Sequence, residues 1–168
     1  IYTSIIQLST EKKNWIIDAM RLKEIQPVAE MLENPEVQVI FHDASFDLRI
    51  LHYEFSCRPK NVFDTQVAAL LLGKSKLGLD ALLKEYFGVS KNQKYQRADW
   101  TKRPLSTEML SYAVVDSAYL IPLRDKLSDE LEMLGRLHWM REEIALIEKN
   151  EITHREPAYF NMKGVMQM

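Results

Sequence analysis

The chain has 168 residues, with 46% hydrophobic and 27% charged content, and no apolar run approaches the roughly 20 residues that cross a bilayer. Its net charge of −2 argues against a protein that coats nucleic acid by bulk electrostatics, although a local basic groove stays open. The length predicts one domain, and the lack of a long apolar run predicts a soluble protein. Cys57 is the only cysteine, which excludes an internal disulfide and favours a reducing compartment, the cytoplasm, or the nucleus in a eukaryote.

Periodicity and turn residues predict an α/β domain. The predicted strands cover residues 1–9, 14–17, 37–41 and 62–63, and the predicted helices cover 28–32, 44–53, 65–72, 79–87, 106–134 with a kink at Pro122, and 137–152. The first two strands form a hairpin, and the apolar run 37–41 is typical of a strand covered on both faces. Asp43 stands where it would cap the next helix, and residues 89–104 predict a loop. A hairpin, then β–α units, then long helices is an α/β order.

Tyr112 and Asp116 lie four residues apart in a predicted helix. This spacing places a phenol and a carboxylate on one helix face, about 5–6 Å apart. A carboxylate there can hold a metal ion, and the phenol beside it can orient water. The alternative is a half-buried tyrosine that packs on its own helix beside a surface aspartate, and the spacing alone does not decide between them.

The stretch FHDASFD at residues 41–47 carries Asp47 one turn into a helix that follows a buried strand. Such junctions at the carboxyl edge of a sheet are where α/β proteins usually keep their sites. Asp43 and Asp47 form a like-charge pair, and a nearby cation would relieve their repulsion. Alternatively, both acids stabilise the N-terminus of the helix. We accept this second role for Asp43 and leave both roles open for Asp47. A histidine in the position of His42 is typically hydrogen-bonded in place, though it can be a ligand, and Asp64 is predicted to cap the following helix.

Residues 91–104 hold five basic side chains and one acidic side chain, with Tyr95 and Trp100 interleaved. Cations for phosphates and aromatic faces for bases are what single-stranded nucleic acid requires. We therefore predict that Lys94, Tyr95 and Arg97 contact substrate, whereas for Trp100 we favour an anchor into the core.

Taken in order, these segments resemble the RNase D family of DEDD 3′-5′ exonucleases, which includes the exonuclease subunit of the nuclear exosome. The matching stretches are IIQL at 5–8, FHDASFD at 41–47, FDTQ at 63–66, KYQRADW at 94–100, RPL at 103–105 and SYAVVDSAYL at 111–120. The resemblance implies an RNase H-like mixed sheet flanked by helices, and two Mg²⁺ or Mn²⁺ ions held by four acids. By position, Asp47 and Asp116 would hold metal and Tyr112 would aim the attacking water. His42 would join the loop residues as a substrate contact.

One motif of that family has no counterpart in the chain. Its Asp-x-Glu lies on a strand that would precede residue 1 and fill the sheet between the predicted strands at 1–9 and 37–41. We therefore expect residues 1–153 to form an exonuclease domain without its N-terminal strand. Residues 154–168 would then be a linker toward a helical, HRDC-like region.

The resemblance implies an exoribonuclease that releases nucleoside 5′-monophosphates from the 3′ end of single-stranded RNA, as in tRNA or structured-RNA processing. The chain as given can be inactive, because it lacks the first motif. Two alternatives stay open. One is a DNA 3′-5′ exonuclease of the Werner type, since nothing in the sequence reads a 2′-hydroxyl. The other is a non-catalytic nucleic-acid-binding module that has lost its first motif.

Overall fold

The protein is described by a computed structural model that covers residues 3–22, 24–90 and 93–153. The strands are β1 (Ile6–Ser9), β2 (Asn14–Ile17), β3 (Val39–Phe41) and β4 (Val62–Asp64). The helices are α1 (Gln26–Leu32), α2 (Ala44–Phe55), α3 (Thr65–Leu71), α4 (Leu79–Phe87), α5 (Thr107–Ala118), α6 (Leu120–Met133) and α7 (Leu137–Thr153). The predicted linker at 154–168 lies outside the described residues. Within the described ranges, every helix is too short or too polar to cross a membrane.

The four strands form two separate ladders. β1 and β2 pair antiparallel, with Ile6 opposite Ile17, and β3 and β4 pair parallel, with Val39 opposite Val62. Among the described strands, β1 and β3 do not pair with each other. A cavity of about 740 Å³ is lined by residues of both. The two ladders therefore face each other across an open space.

The strand predicted over residues 37–41 is less covered than its apolar run suggested. Val39 is buried, but Ile40 and Phe41 are only half-buried. Both of these side chains line the cavity. The expectation of burial on both faces was wrong because the neighbourhood of β3 toward β1 is open rather than packed.

The main core lies between the β3–β4 ladder and helices α3, α4, α6 and α7. Its most completely buried side chains are the leucines Leu82, Leu83, Leu123, Leu127 and Leu131. Three of them recur every four residues along α6, so that one stripe of this helix faces the sheet. A smaller core joins α1, α2 and β3 and contains Ile25, Ala29, Leu32, Val39, Leu51 and Cys57.

The long helix predicted over residues 106–134 is in fact two helices. α5 ends at Ala118 and α6 begins at Leu120, with Tyr119 between them. Pro122 lies in the first turn of α6, where its missing N–H has no partner to lose. The chain therefore starts a new helix before the proline rather than bending one helix at it. As a result α5 packs against β1 and β2, while α6 packs against α3.

The carboxylate of Asp64 holds the start of two helices. Its Oδ1 accepts from the N–H groups of Gln66 at 2.8 Å and Val67 at 3.3 Å in α3, and from Asp43 at 3.1 Å. Its Oδ2 accepts from the N–H of Ala44 at 2.7 Å, at the start of α2. The cap predicted for α3 is confirmed, and the same side chain, 1% exposed, also serves α2.

The cap predicted for α2 was assigned to the wrong aspartate. Asp43 occupies the N-cap position in a left-handed conformation, φ 62°, and its side chain caps none of the described N–H groups of α2. The Asp64 carboxylate takes that role from the next strand. A left-handed Asp43 turns the chain sharply from β3 into α2, which is a conformation that aspartate tolerates better than most residues.

We predict that Asp64→Asn lowers the free energy of unfolding by about 1–3 kcal/mol, measured by urea denaturation. Asparagine caps one helix as well as aspartate does, but its NH2 replaces one of the two acceptor oxygens, so that buried backbone N–H groups of α2 or α3 lose their acceptor. Asp129→Asn, an exposed substitution of the same type on α6, should change it by less than about 0.5 kcal/mol. Equal effects of the two substitutions would contradict this account.

Candidate active site

The cavity between β1 and β3 is where the two predicted metal ligands meet. Asp47 of α2 and Asp116 of α5 both line it, as does His42 at the end of β3. Most of the remaining wall is apolar and comes from β1, α1, β3 and α2. Two acids that are remote in the sequence thus face one space instead of opposite sides of the molecule.

Asp47 owes its place to the way α2 is packed. Ala44, Leu48 and Leu51 are buried in the cores and recur at helical spacing. Asp47 lies in the first turn at the edge of this buried stripe and remains exposed. Because the Asp64 carboxylate fixes where α2 begins, it also fixes where Asp47 projects.

The Asp47 carboxyl is electrostatically unfavourable in its charged form. Although the side chain is accessible from the cavity, the surrounding protein removes part of its hydration, and the charges of Asp43 and Asp64 add to this effect. Together they raise the pKa of Asp47 to about 6. A cation beside Asp47 would relieve this repulsion.

Asp116 is held by the packing of α5 on the hairpin. The hydroxyl of Ser106 accepts from the N–H of Met109 at 3.2 Å and caps the helix. Near its other end, the hydroxyl of Ser117 is hydrogen-bonded to that of Ser9 at 2.7 Å. This bond joins α5 to the last residue of β1, one residue away from Asp116.

Tyr112 lies one helical turn before Asp116 and contacts the predicted substrate loop. The ring centroids of Tyr95 and Trp100 lie 6.0 Å and 6.1 Å from that of Tyr112. The Trp100 Nε1–H donates to the Tyr95 carbonyl at 3.2 Å. Trp100 is therefore a half-buried anchor against Tyr112, and Tyr95 packs on the tyrosine predicted to aim water.

The basic residues predicted to contact substrate lie on the same loop. Lys94 and Arg97 are exposed, and the Lys94 Nζ lies 5.6 Å from the centroid of the Tyr95 ring. Lys94, Tyr95, Arg97 and Tyr112 all lie outside the described lining of the cavity. The structure thus brings Asp47, Asp116 and His42 together, and places a separate aromatic cluster with flanking cations beside α5.

His42 is hydrogen-bonded in place, as predicted. Its Nδ1 lies 2.9 Å from the Thr65 hydroxyl, which in turn donates to the Phe41 carbonyl at 3.0 Å. Because the hydroxyl hydrogen goes to the carbonyl, Nδ1 of His42 is the donor to Thr65. The ring also lines the cavity, so the structural role and the predicted substrate contact are compatible.

The acids at the cavity are of the right chemical type for Mg²⁺ or Mn²⁺, which prefer carboxylate oxygens. Among the described residues, however, no three His, Cys, Asp or Glu side chains come together as a metal site. Asp47 and Asp116 correspond to two of the four acids that the resemblance implies. These two carboxylates could therefore supply some, but not all, of the ligands of such a metal centre.

An ion pair between Arg103 and Asp18 was missed by the sequence analysis. Arg103 binds Asp18 through two hydrogen bonds, from Nε at 2.7 Å and from Nη2 at 2.8 Å. The hydrogen bond and positive charge of Arg103 lower the pKa of Asp18. Arg103 stands in the stretch RPL, which marked it, but Asp18 lies in no motif and 85 residues away along the chain.

An α/β domain that carries two acids from separate helices to one cavity is the arrangement expected of a DEDD nuclease. A sequence profile described as 3′-5′ exonuclease matches residues 2–132. The chain belongs to this 3′-5′ exonuclease family.

Its relatives place it among RNase D-type proteins. The chain is 42% identical over 135 residues to exosome complex component 10 of Homo sapiens, covering 80% of this chain and 15% of that protein. It superposes on Escherichia coli RNase D, an exoribonuclease involved in structured RNA processing, with a TM-score of 0.86 and 29% identity, covering 90% of this chain and 41% of that one. Brucella melitensis NrnC with bound Mg²⁺ gives a TM-score of 0.80 and 26% identity, covering 88% and 73%.

These similarities confirm the predicted RNase D-type resemblance and the RNase H-like α/β fold class. The chain nevertheless spans only about 15% of the length of the human protein and 41% of the bacterial RNase D chain.

We predict that Asp47→Asn stabilises the metal-free protein at pH 8, by about 1 kcal/mol after screening by solvent in the cavity. The folded protein keeps the Asp47 proton up to about pH 6, whereas the pKa of an unperturbed aspartate is 3.8. The stabilising contribution of that proton is therefore complete below about pH 4 and is lost as the pH rises through 6.

Urea denaturation in EDTA at several pH values measures this. The gain from Asp47→Asn should vanish near pH 4, and Asp129→Asn should show no such trend. A gain that is the same at pH 4 and pH 8 would mean that the charge of Asp47 is not its cause.

Proposed function

We propose that the protein is a metal-dependent 3′-5′ exoribonuclease that releases nucleoside 5′-monophosphates from the 3′ end of single-stranded RNA. The observation that carries this proposal is the shared cavity of Asp47 and Asp116. The family supplies the reaction type, and the resemblance to RNase D and exosome component 10 favours RNA over DNA. By the same resemblance, structured RNA is the proposed substrate class, and the cytoplasm or the nucleus is the proposed location.

Asp47 and Asp116 would hold the divalent ions, and the like charges around Asp47 support a cation at that position. Two Mg²⁺ or Mn²⁺ ions would supply an activated water and stabilise the departing 3′ oxygen. Tyr112, one turn before Asp116, would orient the water. Lys94, Arg97, Tyr95 and His42 would steady the strand, the cations through phosphates and the rings by stacking.

We propose further that the remaining acids lie on a strand between β1 and β3, supplied by residues that precede Ile1. The cavity is lined by both of these strands, and their facing edges offer backbone groups for pairing on either side. Such a strand would cover Ile40 and Phe41, which are half-buried now. Residues 1–153 would then be the body of the exonuclease domain, and residues 154–168 a linker to a further helical region.

We predict that Asp116→Asn in the complete gene product abolishes Mn²⁺-dependent shortening of a 5′-labelled RNA oligonucleotide. Loss of a metal ligand typically removes the reaction, whereas Tyr112→Phe, which removes only a hydroxyl, should lower kcat by about 10- to 100-fold. Gel electrophoresis of time points gives both rates. Asp125→Asn, on the exposed surface of α6, is the matched control and should keep full activity.

The same assay with a DNA oligonucleotide of equal sequence decides the substrate. RNA should be shortened faster than DNA, and faster loss of DNA would replace the RNA assignment. Normal activity of Asp116→Asn would end the exonuclease proposal. Retained binding of RNA without any cleavage by the complete protein would instead favour a non-catalytic binding module.

A further inference from the structure

The guanidinium of Arg103 links the substrate loop to the hairpin. Besides its two bonds to Asp18, it donates from Nη2 to the Ser4 carbonyl at 3.0 Å. From Nη1 it donates to the carbonyls of Trp100 at 2.7 Å and Lys102 at 2.9 Å. All five N–H groups of the side chain thus have acceptors. The acceptors come from three segments: the residues before β1, the end of β2 and the loop itself.

This link reaches Tyr112 through the loop. Arg103 holds the carbonyl of Trp100, and the indole of Trp100 packs on the Tyr112 ring. The same indole donates to the carbonyl of Tyr95, whose ring packs on Tyr112 from the loop as well. The two rings that surround the phenol are therefore both tied to Arg103.

The hairpin is also the base on which α5 rests. α5 packs against β1 and β2, and Ser117 is bonded to Ser9 at the end of β1. The helix that carries Asp116 therefore contacts the hairpin directly. The rings around Tyr112 are attached to the hairpin through Arg103 and Asp18. The Arg103–Asp18 pair is therefore connected to the surroundings of the Tyr112 ring, while the i, i+4 spacing of Tyr112 and Asp116 comes from the helix itself.

We propose that Arg103, held by Asp18, is a positioning residue that fixes the Tyr112 ring by clamping the loop to the hairpin. The proposal rests on the exonuclease function proposed above. It assigns Arg103 and Asp18 to the orientation of the water-aiming phenol rather than to RNA binding. Arg103 has no N–H left for a phosphate once its five acceptors are occupied.

A double-mutant cycle in the complete gene product tests this assignment. Arg103→Lys keeps the charge but loses the fork that reaches the carboxylate and the carbonyls together. We expect it to lower kcat by about tenfold, with KM changed by less than about twofold, because a small misplacement of a catalytic group lowers the rate without weakening substrate binding. In a Tyr112→Phe background the same substitution should cost less than about twofold, since the group that it positions is gone.

Arg136→Lys is the matched control. Arg136 also donates to a distant carbonyl, that of Leu71 at 2.9 Å, but at the junction of α6 and α7 away from the cavity. It should leave kcat within about twofold in both backgrounds. If Arg103→Lys does not fold, Asp18→Asn replaces it, because that variant removes the ion pair and leaves the three carbonyl contacts of Arg103 in place.

The outcomes separate the two proposals. Equal losses from Arg103→Lys with and without the Tyr112 hydroxyl would overturn the positioning role while leaving the exonuclease assignment intact. A rise in KM at unchanged kcat would make Arg103 a substrate contact and overturn the role in a different way. An unmodified protein that shortens no RNA with Mn²⁺ would overturn the function and the inference together.

Discussion

The carboxylate of Asp64 is the constraint on which the geometry of the candidate site depends. One buried side chain satisfies backbone N–H groups at the start of both α2 and α3. The ends of β3 and β4 are thereby locked side by side, and Asp47 projects from the first turn of α2 toward the cavity. The arrangement has an electrostatic consequence, because the charge that caps the helices also makes ionisation of Asp47 harder. A cation at this point would relieve the repulsion around Asp47.

The second half of the site is organised around the hairpin. α5 is attached to β1 and β2 through packing and the Ser9–Ser117 bond. The loop is attached to the hairpin through Asp18 and Arg103. Asp116 and Tyr112 share a helix, so their separation is a property of local geometry, but the surroundings of the phenol depend on contacts made far away in the sequence. The hairpin thus supports α5 and the loop without supplying a catalytic group itself.

The sequence predicted what local patterns determine and missed what long-range contacts determine. The i, i+4 spacing of Tyr112 and Asp116 and the strand-to-helix junction before Asp47 were readable, because backbone periodicity alone sets them. The residue that caps α2 could not be predicted from local sequence. Asp64 reaches the start of α2 from the next strand, whereas the capping pattern in the sequence is satisfied by the neighbouring Asp43. Pro122 predicts a kink where the chain has a full break at Tyr119, because a proline is compatible with both. The Arg103–Asp18 ion pair could not be predicted, because Asp18 belongs to none of the sequence motifs. The order of several motifs along the chain indicated the RNase D family, whereas the spacing within any one motif did not.

In the proposed function, the carboxylates of Asp47 and Asp116 hold divalent cations at one site. Anomalous diffraction from crystals of the complete gene product grown with Mn²⁺ tests it most directly, because the scattering locates manganese without reference to activity. The account predicts Mn²⁺ peaks in contact with both the Asp47 and the Asp116 carboxylates. Manganese bound elsewhere, with these two side chains left uncoordinated, would contradict it.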